Sequence, residues 1–195
     1  LYSSIWLPYL EIILELLIEV SSCSCVVLRL SRNMQNQDDL DLKDGQVLFG
    51  ELEDDIVGFN DLGVRFTAHV IRGHKTGYFL DHRANRKRVG ELSAGKTVLD
   101  VFSYAGGFSV HALAKGATEV TSLDISKQAL AVAVANAKLN EFNGKHRILA
   151  GDEFVLMKKL IAEDATYDIV VIDPPSFAKS QKEIEMAKKQ YSELS

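Results

Sequence analysis

Asp173-Pro174-Pro175-Ser176-Phe177-Ala178 follows a β-rich run, Tyr167 to Ile172, and stops it with two prolines. Proline cannot donate to a sheet ladder and pushes its predecessor out of helical geometry, so the strand must end there and hold Asp173 at its carboxyl edge. In an open α/β sheet that edge is where ligands bind. The layout recurs upstream, where Thr97-Val98-Leu99-Asp100-Val101-Phe102 runs into Ser103-Tyr104-Ala105-Gly106-Gly107-Phe108. Paired glycines at a strand-to-helix turn permit close backbone approach, and the free amides of the helix start favour an anionic or carboxylate group. A dinucleotide cradle would need G-x-G-x-x-G here, and the chain lacks it, which disfavours a nicotinamide oxidoreductase.

Asp124 follows the next strand, Glu119 to Leu123, and lies 18 residues beyond Gly106. That is close to the roughly 20 expected of an acid gripping ribose hydroxyls. A carboxylate can accept from both hydroxyls at once, although the same residue could cap the helix starting near Ser126. Asp152 follows a third strand in the same way, placed either to accept from an adenine amino group or to cap a helix. Loop glycines, a ribose acid and an adenine acid in strand order describe an adenosine site without a diphosphate. S-adenosylmethionine is the ligand that fits.

The elements that must position these residues are legible from Thr97 onward. Strands Thr97–Phe102, Glu119–Leu123, Arg147–Ala150 and Asp168–Asp173 alternate with helices Phe108–Lys115, Lys127–Leu139 and Glu153–Ile161, which implies a parallel sheet with right-handed crossovers. The final stretch, Lys182 to Ser195, reads as an unfinished helix. Before Gly73 the pattern is a helix, Leu10 to Val20, then short strands: Cys25–Leu30, Gln46–Gly50, Asp55–Phe59 and Val64–Val70. Asn60-Asp61-Leu62-Gly63 is a hairpin signal between the last two. The fold expected is α/β: a Rossmann-like sheet of about four parallel strands, incomplete, preceded by a small α+β domain. The boundary falls between residues 1–74 and 75–195, with a linking helix over Asp81–Leu92 that carries Arg83, Arg86, Lys87 and Arg88.

Composition bounds the function. The 195 residues carry 22 basic and 27 acidic side chains, a formal charge of -5, which argues against a broad polyanion-binding surface and leaves room for a local basic patch. Glu11, Glu15 and Glu19 interrupt the apolar Leu10–Val20 run, which is too short and too charged to span a bilayer; a core-facing amphipathic helix is expected there. Cys23 and Cys25 are the only cysteines, and their spacing fits neither an ordinary disulfide nor zinc. Reduced thiols in a cytoplasmic protein are expected, with no membrane and no metal. The acidic stretch Asp38, Asp39, Asp41, Asp44, Glu51, Glu53, Asp54 and Asp55 reads as a solvated loop face.

Taken together, Lys75-Thr76-Gly77-Tyr78-Phe79-Leu80-Asp81-His82-Arg83, Val98 to Gly107, Asp124 and Asp173-Pro174-Pro175-Ser176-Phe177 resemble the class I S-adenosylmethionine-dependent methyltransferases of large-subunit ribosomal RNA, a family that modifies cytosine carbon 5 or guanine nitrogen 7. The resemblance spans Lys75 to the end. It implies that Ser103 to Gly107, Tyr104 and Gly106 included, line the methionine end of the cofactor, Asp124 its ribose, and Asp152 with Glu153 its adenine. Asp100 and Ile125 complete the cofactor-binding set. Asp173 would sit beside the methyl group and the target base, as the one catalytic candidate, while Lys75, Phe79 and Arg83 would close the site. The four basic residues of the linking helix could contact phosphate or simply face solvent, and Phe177 could stack a flipped base or pack in the core.

Cytosine carbon 5 is the favoured acceptor. It needs a cysteine thiolate, which in cytosine-modifying relatives follows the Asp-Pro-Pro segment; no cysteine follows Asp173 here. Truncation is the expected reconciliation, with the nucleophile beyond Ser195 and this piece inactive by itself. RNA, ribosomal RNA above all, is the implied partner, and a homo-oligomer is left open. The alternative is a noncatalytic RNA-binding or interaction module with a vestigial pocket.

Overall fold

A computed structural model describes residues 1–36, 40–73, 77–178 and 180–194. The chain forms two compact units, one of Leu1–Phe59 with Thr67–Phe79, the other of Asn60–Phe66 with Leu80–Ser195.

In the first unit a 3-10 turn, Ser4–Tyr9, leads into α1, Leu10–Ser21, which ends where Ser22 adopts a left-handed conformation. Strand β1, Cys25–Val27, is followed by the single-turn helix α2, Arg32–Gln35, and pairs antiparallel with β2, Val47–Gly50. The unit's core is Leu28, Leu30 and Met34, against which Leu1, Leu7, Leu40, Leu42 and Leu48 pack. Helix α1 forms where the glutamate spacing predicts it, but it does not face a core: none of its residues is buried, and Ile12, Leu16, Leu17 and Val20 are exposed. Its apolar residues surround most of the helix, and the leucines of the following loops fill the core instead.

Strands β3, Ile56–Asp61, and β4, Val64–His69, form the expected hairpin. Its turn residues, Leu62 at φ 53° and Gly63 at φ 89°, both lie in the left-handed region that tight hairpins require, and Asn60 Oδ1 accepts from Gly63 N at 2.7 Å. Within the acidic stretch Asp41, Asp44, Glu51, Glu53 and Asp54 are exposed, as expected, and Asp55 is half-buried. Asp44 accepts from Arg29 Nε at 3.1 Å, and Asp55 pairs with Arg72 Nε at 2.6 Å. Asp38 and Asp39 lie outside the described residues.

The second unit runs α3 (Arg83–Leu92), β5 (Thr97–Val101), α4 (Gly107–Ala114), β6 (Glu119–Asp124), α5 (Lys127–Lys138), β7 (Lys145–Ala150), α6 (Glu153–Ala162), β8 (Ile169–Ile172) and α7 (Ile184–Glu193). Its sheet has the order β7-β6-β5-β8, with every neighbouring pair parallel. Val98, Val101, Val120 and Leu123 are fully enclosed, as parallel strands covered on both faces must be. Leu99, Val101 and Leu123 pack against Leu149, Leu156, Met157, Leu160 and Tyr167. Because β6 and β7 extend the sheet to one side of β5 and β8 lies on the other, the order reverses between β5 and β8. That reversal opens a crevice beyond the carboxyl ends of the strands.

Candidate active site

The crevice is built by a sharp turn after β5. Phe102 (φ 64°) and Tyr104 (φ 48°) both lie in the left-handed region, a conformation costing on the order of 1–3 kcal/mol at a non-glycine residue. Such strain persists only where the surroundings over-determine it. Here Ser103 N donates to Leu123 O at 3.0 Å, Tyr104 N donates to Asp124 Oδ2 at 2.8 Å, and Asn136 Nδ2 donates to Ala105 O at 3.1 Å. Gly106, at φ 78°, ends the turn; a Cβ there would meet the Cβ of Ala133 at 2.7 Å.

Asp124 lies where β6 delivers it, almost buried. Besides Tyr104, it accepts from Ser126 N on Oδ1 at 2.8 Å, and the next amide, Ile125 N, donates to Glu153 Oε1 at 2.9 Å. Each carboxylate oxygen of Asp124 keeps a second acceptor site, which suits a pair of hydroxyls. Ile125 is 64% exposed beside it, an apolar surface of the kind a purine face packs on. Burial raises the pKa of Glu153. Asp152 Oδ1 caps α6 by accepting from Val155 N at 3.0 Å.

Asp100 has no solvent exposure. Its Oδ2 accepts from Ser109 N at 3.0 Å and from Ser109 Oγ at 2.6 Å. Burial pushes its carboxyl up to about 7, against the opposing pull of the Ser109 bonds and with help from the charges of Asp173 and Asp124. Its Oδ1 and the Oγ of Ser103 are buried without a hydrogen-bond partner among the described residues. Buried polar atoms in folded proteins are almost always paired. Two orphaned oxygens where β5 ends, within an acidic edge, fit a ligand that brings donors and positive charge. A nucleoside carrying a sulfonium and an amino group has both.

Asp173 is tied to this edge through its own amide, which donates to Val101 O at 3.4 Å. Its half-exposed carboxylate lies 3.6 Å from His82 Nε2. Phe177 packs among Phe102, Phe154 and Tyr191 at centroid distances of 6.2, 6.0 and 4.8 Å, so packing is the role its surroundings define. The basic residues of α3 find acids within the unit. Arg83 and Arg86 turn their Nε atoms to Asp61 at 3.1 and 2.8 Å, while Lys87 and Arg88 lie 3.7 and 3.9 Å from Glu91. Phe79 belongs to the first unit, and Lys75 lies outside the described residues.

Asp100, Ser103, Tyr104, Gly106, Asp124, Ile125, Asp152, Glu153 and Asp173 thus occupy the carboxyl ends of β5 to β8 and the turns that follow them. Sequence reasoning quoted His82 within the Lys75–Arg83 motif but gave it no role, since nothing local shows that it lies beside Asp173. It also missed the partners of Asp100. Ser109 sits nine residues on, and Ser122 stands beside Asp100 in the parallel register of β6, a relation visible only once the strands are paired.

A four-stranded parallel sheet with a strained, acid-rimmed turn after its first strand places the chain among the open α/β folds that take ligands beyond their strand ends. Comparison with known proteins narrows this. The model of the S-adenosylmethionine-dependent methyltransferase family matches residues 41–191. The chain belongs to that family. It is 47% identical over its full length to a ribosomal RNA large subunit methyltransferase of Deinococcus radiodurans, covering 48% of that protein. It is 34% identical over 94% of its length to the ribosomal RNA large subunit methyltransferase I of Aliivibrio fischeri, covering 46% of it. The chain therefore spans about half the length of these relatives. Among solved structures, one described as an S-adenosylmethionine-dependent methyltransferase from Streptococcus mutans superposes with a TM-score of 0.77 at 26% identity, over 96% of this chain and half of that one. A methyltransferase solved in complex with SAH superposes with a TM-score of 0.73 at 28% identity, over 92% of this chain and 45% of that one.

Proposed function

We propose that the chain carries the cofactor site of an enzyme that methylates a base of large-subunit ribosomal RNA, with cytosine carbon 5 the favoured acceptor and guanine nitrogen 7 the other. The bound cofactor supplies an electrophilic methyl group on a sulfonium. The chain's own residues hold and orient it. Asp124 accepts from the ribose hydroxyls, Ile125 packs on the adenine, and Asp152 with Glu153 receives its amino group. The Ser103 to Gly107 turn takes the amino-acid end, and Asp173, joined by Asp100 when it ionises, sets the negative potential that favours a cationic ligand. Asp173, at the mouth of the crevice, positions the target base. Arg83, at the start of α3, closes the site from the linker side. Methyl transfer from a sulfonium depends chiefly on in-line placement, so such orientation can supply much of the rate.

The observation that carries this reading is the orphaned pair, Asp100 Oδ1 and Ser103 Oγ, on a turn whose strain is locked by Asp124. Titration of S-adenosylhomocysteine into the chain in a calorimeter tests it, and Asp124→Ala should weaken binding at least tenfold. Equal affinity for both proteins would remove the ribose assignment, and no binding to the unaltered chain would remove the cofactor site. Incubation of a longer protein, of the length of its relatives, with labelled cofactor and large-subunit ribosomal RNA, then nucleoside digestion, reads the acceptor. Label in 5-methylcytidine is expected, and label in 7-methylguanosine would transfer the assignment to nitrogen.

A further inference from the structure

Behind Asp100 a chain of hydrogen bonds crosses the sheet. Ser109 Oγ on α4 donates to Asp100 Oδ2 at 2.6 Å, the hydroxyls of Ser109 and Ser122 lie 2.6 Å apart, and Ser122 Oγ lies 2.8 Å from His146 Nε2 on β7. Both serines are fully enclosed, and His146 is half-buried. Structural packing alone does not require two serines in line between an acid and an imidazole. We propose that Asp100, Ser109, Ser122 and His146 form a proton relay that couples the charge of the bound cofactor to the protonation of Asp100, so that the sulfonium form binds with release of a proton and the neutral thioether form binds without it.

Each hydroxyl has one hydrogen, which leaves the relay two self-consistent arrangements. With Asp100 ionised, His146 Nε2–H donates to Ser122, Ser122 to Ser109, and Ser109 to the carboxylate. With Asp100 neutral, its Oδ2–H donates to Ser109, Ser109 to Ser122, and Ser122 to the lone pair of His146 Nε2, whose proton then sits on Nδ1. Passage from the neutral to the ionised arrangement moves one proton along each link. The O–H bond of Asp100 breaks, a new N–H bond forms at His146 Nε2, and His146 gives its Nδ1 proton to water. Ser109 and Ser122 each give up one proton and receive one, so both stay neutral hydroxyls.

The surroundings set which arrangement holds. Asp100 faces Asp124 at the end of β6 and Asp173 beyond β8, both acidic; Glu153 on α6 adjoins Asp124, and His82 before α3 adjoins Asp173. Burial and these charges hold its carboxyl at about 7, and burial keeps the imidazole of His146 below its ordinary range and so uncharged near neutrality. A positive charge at this edge favours the carboxylate, and a neutral ligand does not. The two forms of the cofactor share their adenosine and amino-acid ends and differ by the methyl group and its charge. The relay therefore reads the one difference that separates substrate from product.

This rests on the cofactor reading above, and the test separates the two. Calorimetric titrations at pH 6.5, in buffers of different ionisation enthalpy, count protons released by S-adenosylmethionine and by S-adenosylhomocysteine. Most of one proton is expected with the first and close to none with the second. Asp100→Asn should weaken S-adenosylmethionine more than S-adenosylhomocysteine, and the binding that remains at saturating ligand should release no proton. Nitrogen-15 shifts of His146, assigned against His146→Gln, should move from Nδ1–H to Nε2–H when the sulfonium form is added, and Ser122→Ala should remove that response. Equal proton counts for the two ligands, or an unchanging His146 tautomer, overturn the relay and leave the site standing. Failure of both ligands to bind overturns the site and the relay with it.

Discussion

A carboxyl held neutral near pH 7 makes the folded state keep a proton that the unfolded chain gives up, and the sign of the consequence follows. Below pH 4 Asp100 is protonated in both states and contributes nothing to the difference. Between 4 and about 7 the unfolded chain ionises while the folded chain does not, so stability falls with rising pH, and above about 7 the full cost is present. Asn keeps an oxygen that can accept from Ser109 and has no proton to lose. Asp100→Asn should therefore melt much like the wild type at pH 4 and gain stability progressively to about 4 kcal/mol at pH 8. Thermal melts of both proteins across that range check it, and parallel pH profiles would show that Asp100 is ionised in the folded state. A residue that costs stability yet sits at the proposed cofactor edge is the pattern expected where a site is strained for function.

At the level of elements, the turn between β5 and α4 does most of the positioning. Gly106→Ala would force a Cβ into a left-handed conformation and within 2.7 Å of the Ala133 Cβ. A loss of at least about 2 kcal/mol is expected, read by urea denaturation, with S-adenosylhomocysteine binding reduced. The strands and helices of the second unit were readable because buried β-rich runs alternate with helical periodicity, and Pro174 with Pro175 marks where β8 must stop. The role of α1 was not. An apolar helix with spaced glutamates signals amphipathicity, but which side chains a small unit buries depends on the competing leucines of its loops.

Across the molecule, the least foreseeable feature is the cluster around Asp61. Its carboxylate, 5% exposed at the tip of the β3–β4 hairpin, accepts from Arg83 and Arg86 of α3 and lies 3.2 Å from His111 Nε2 of α4. In the sequence Asp61 is one residue of a turn signal, and the arginines are a charge run suited to phosphate. Paired, they become an internal clasp, because burying the Arg86 guanidinium demands a counter-charge, while His111, whose pKa burial lowers, meets the same carboxylate as a neutral imidazole. Asp61→Ala should destabilise the protein by about 3–5 kcal/mol, seen as an earlier urea transition; a shift under 1 kcal/mol would show the clasp to be incidental. By itself the sequence determined the strand ends, the acids at them and the missing dinucleotide fingerprint, since prolines, glycines and hydrophobic period act locally. Only the tertiary structure decided which charges are already satisfied, which oxygens remain orphaned, and that Ser122 and His146 stand in line behind Asp100. Those facts depend on strand register and burial, which bring together residues that no local pattern connects.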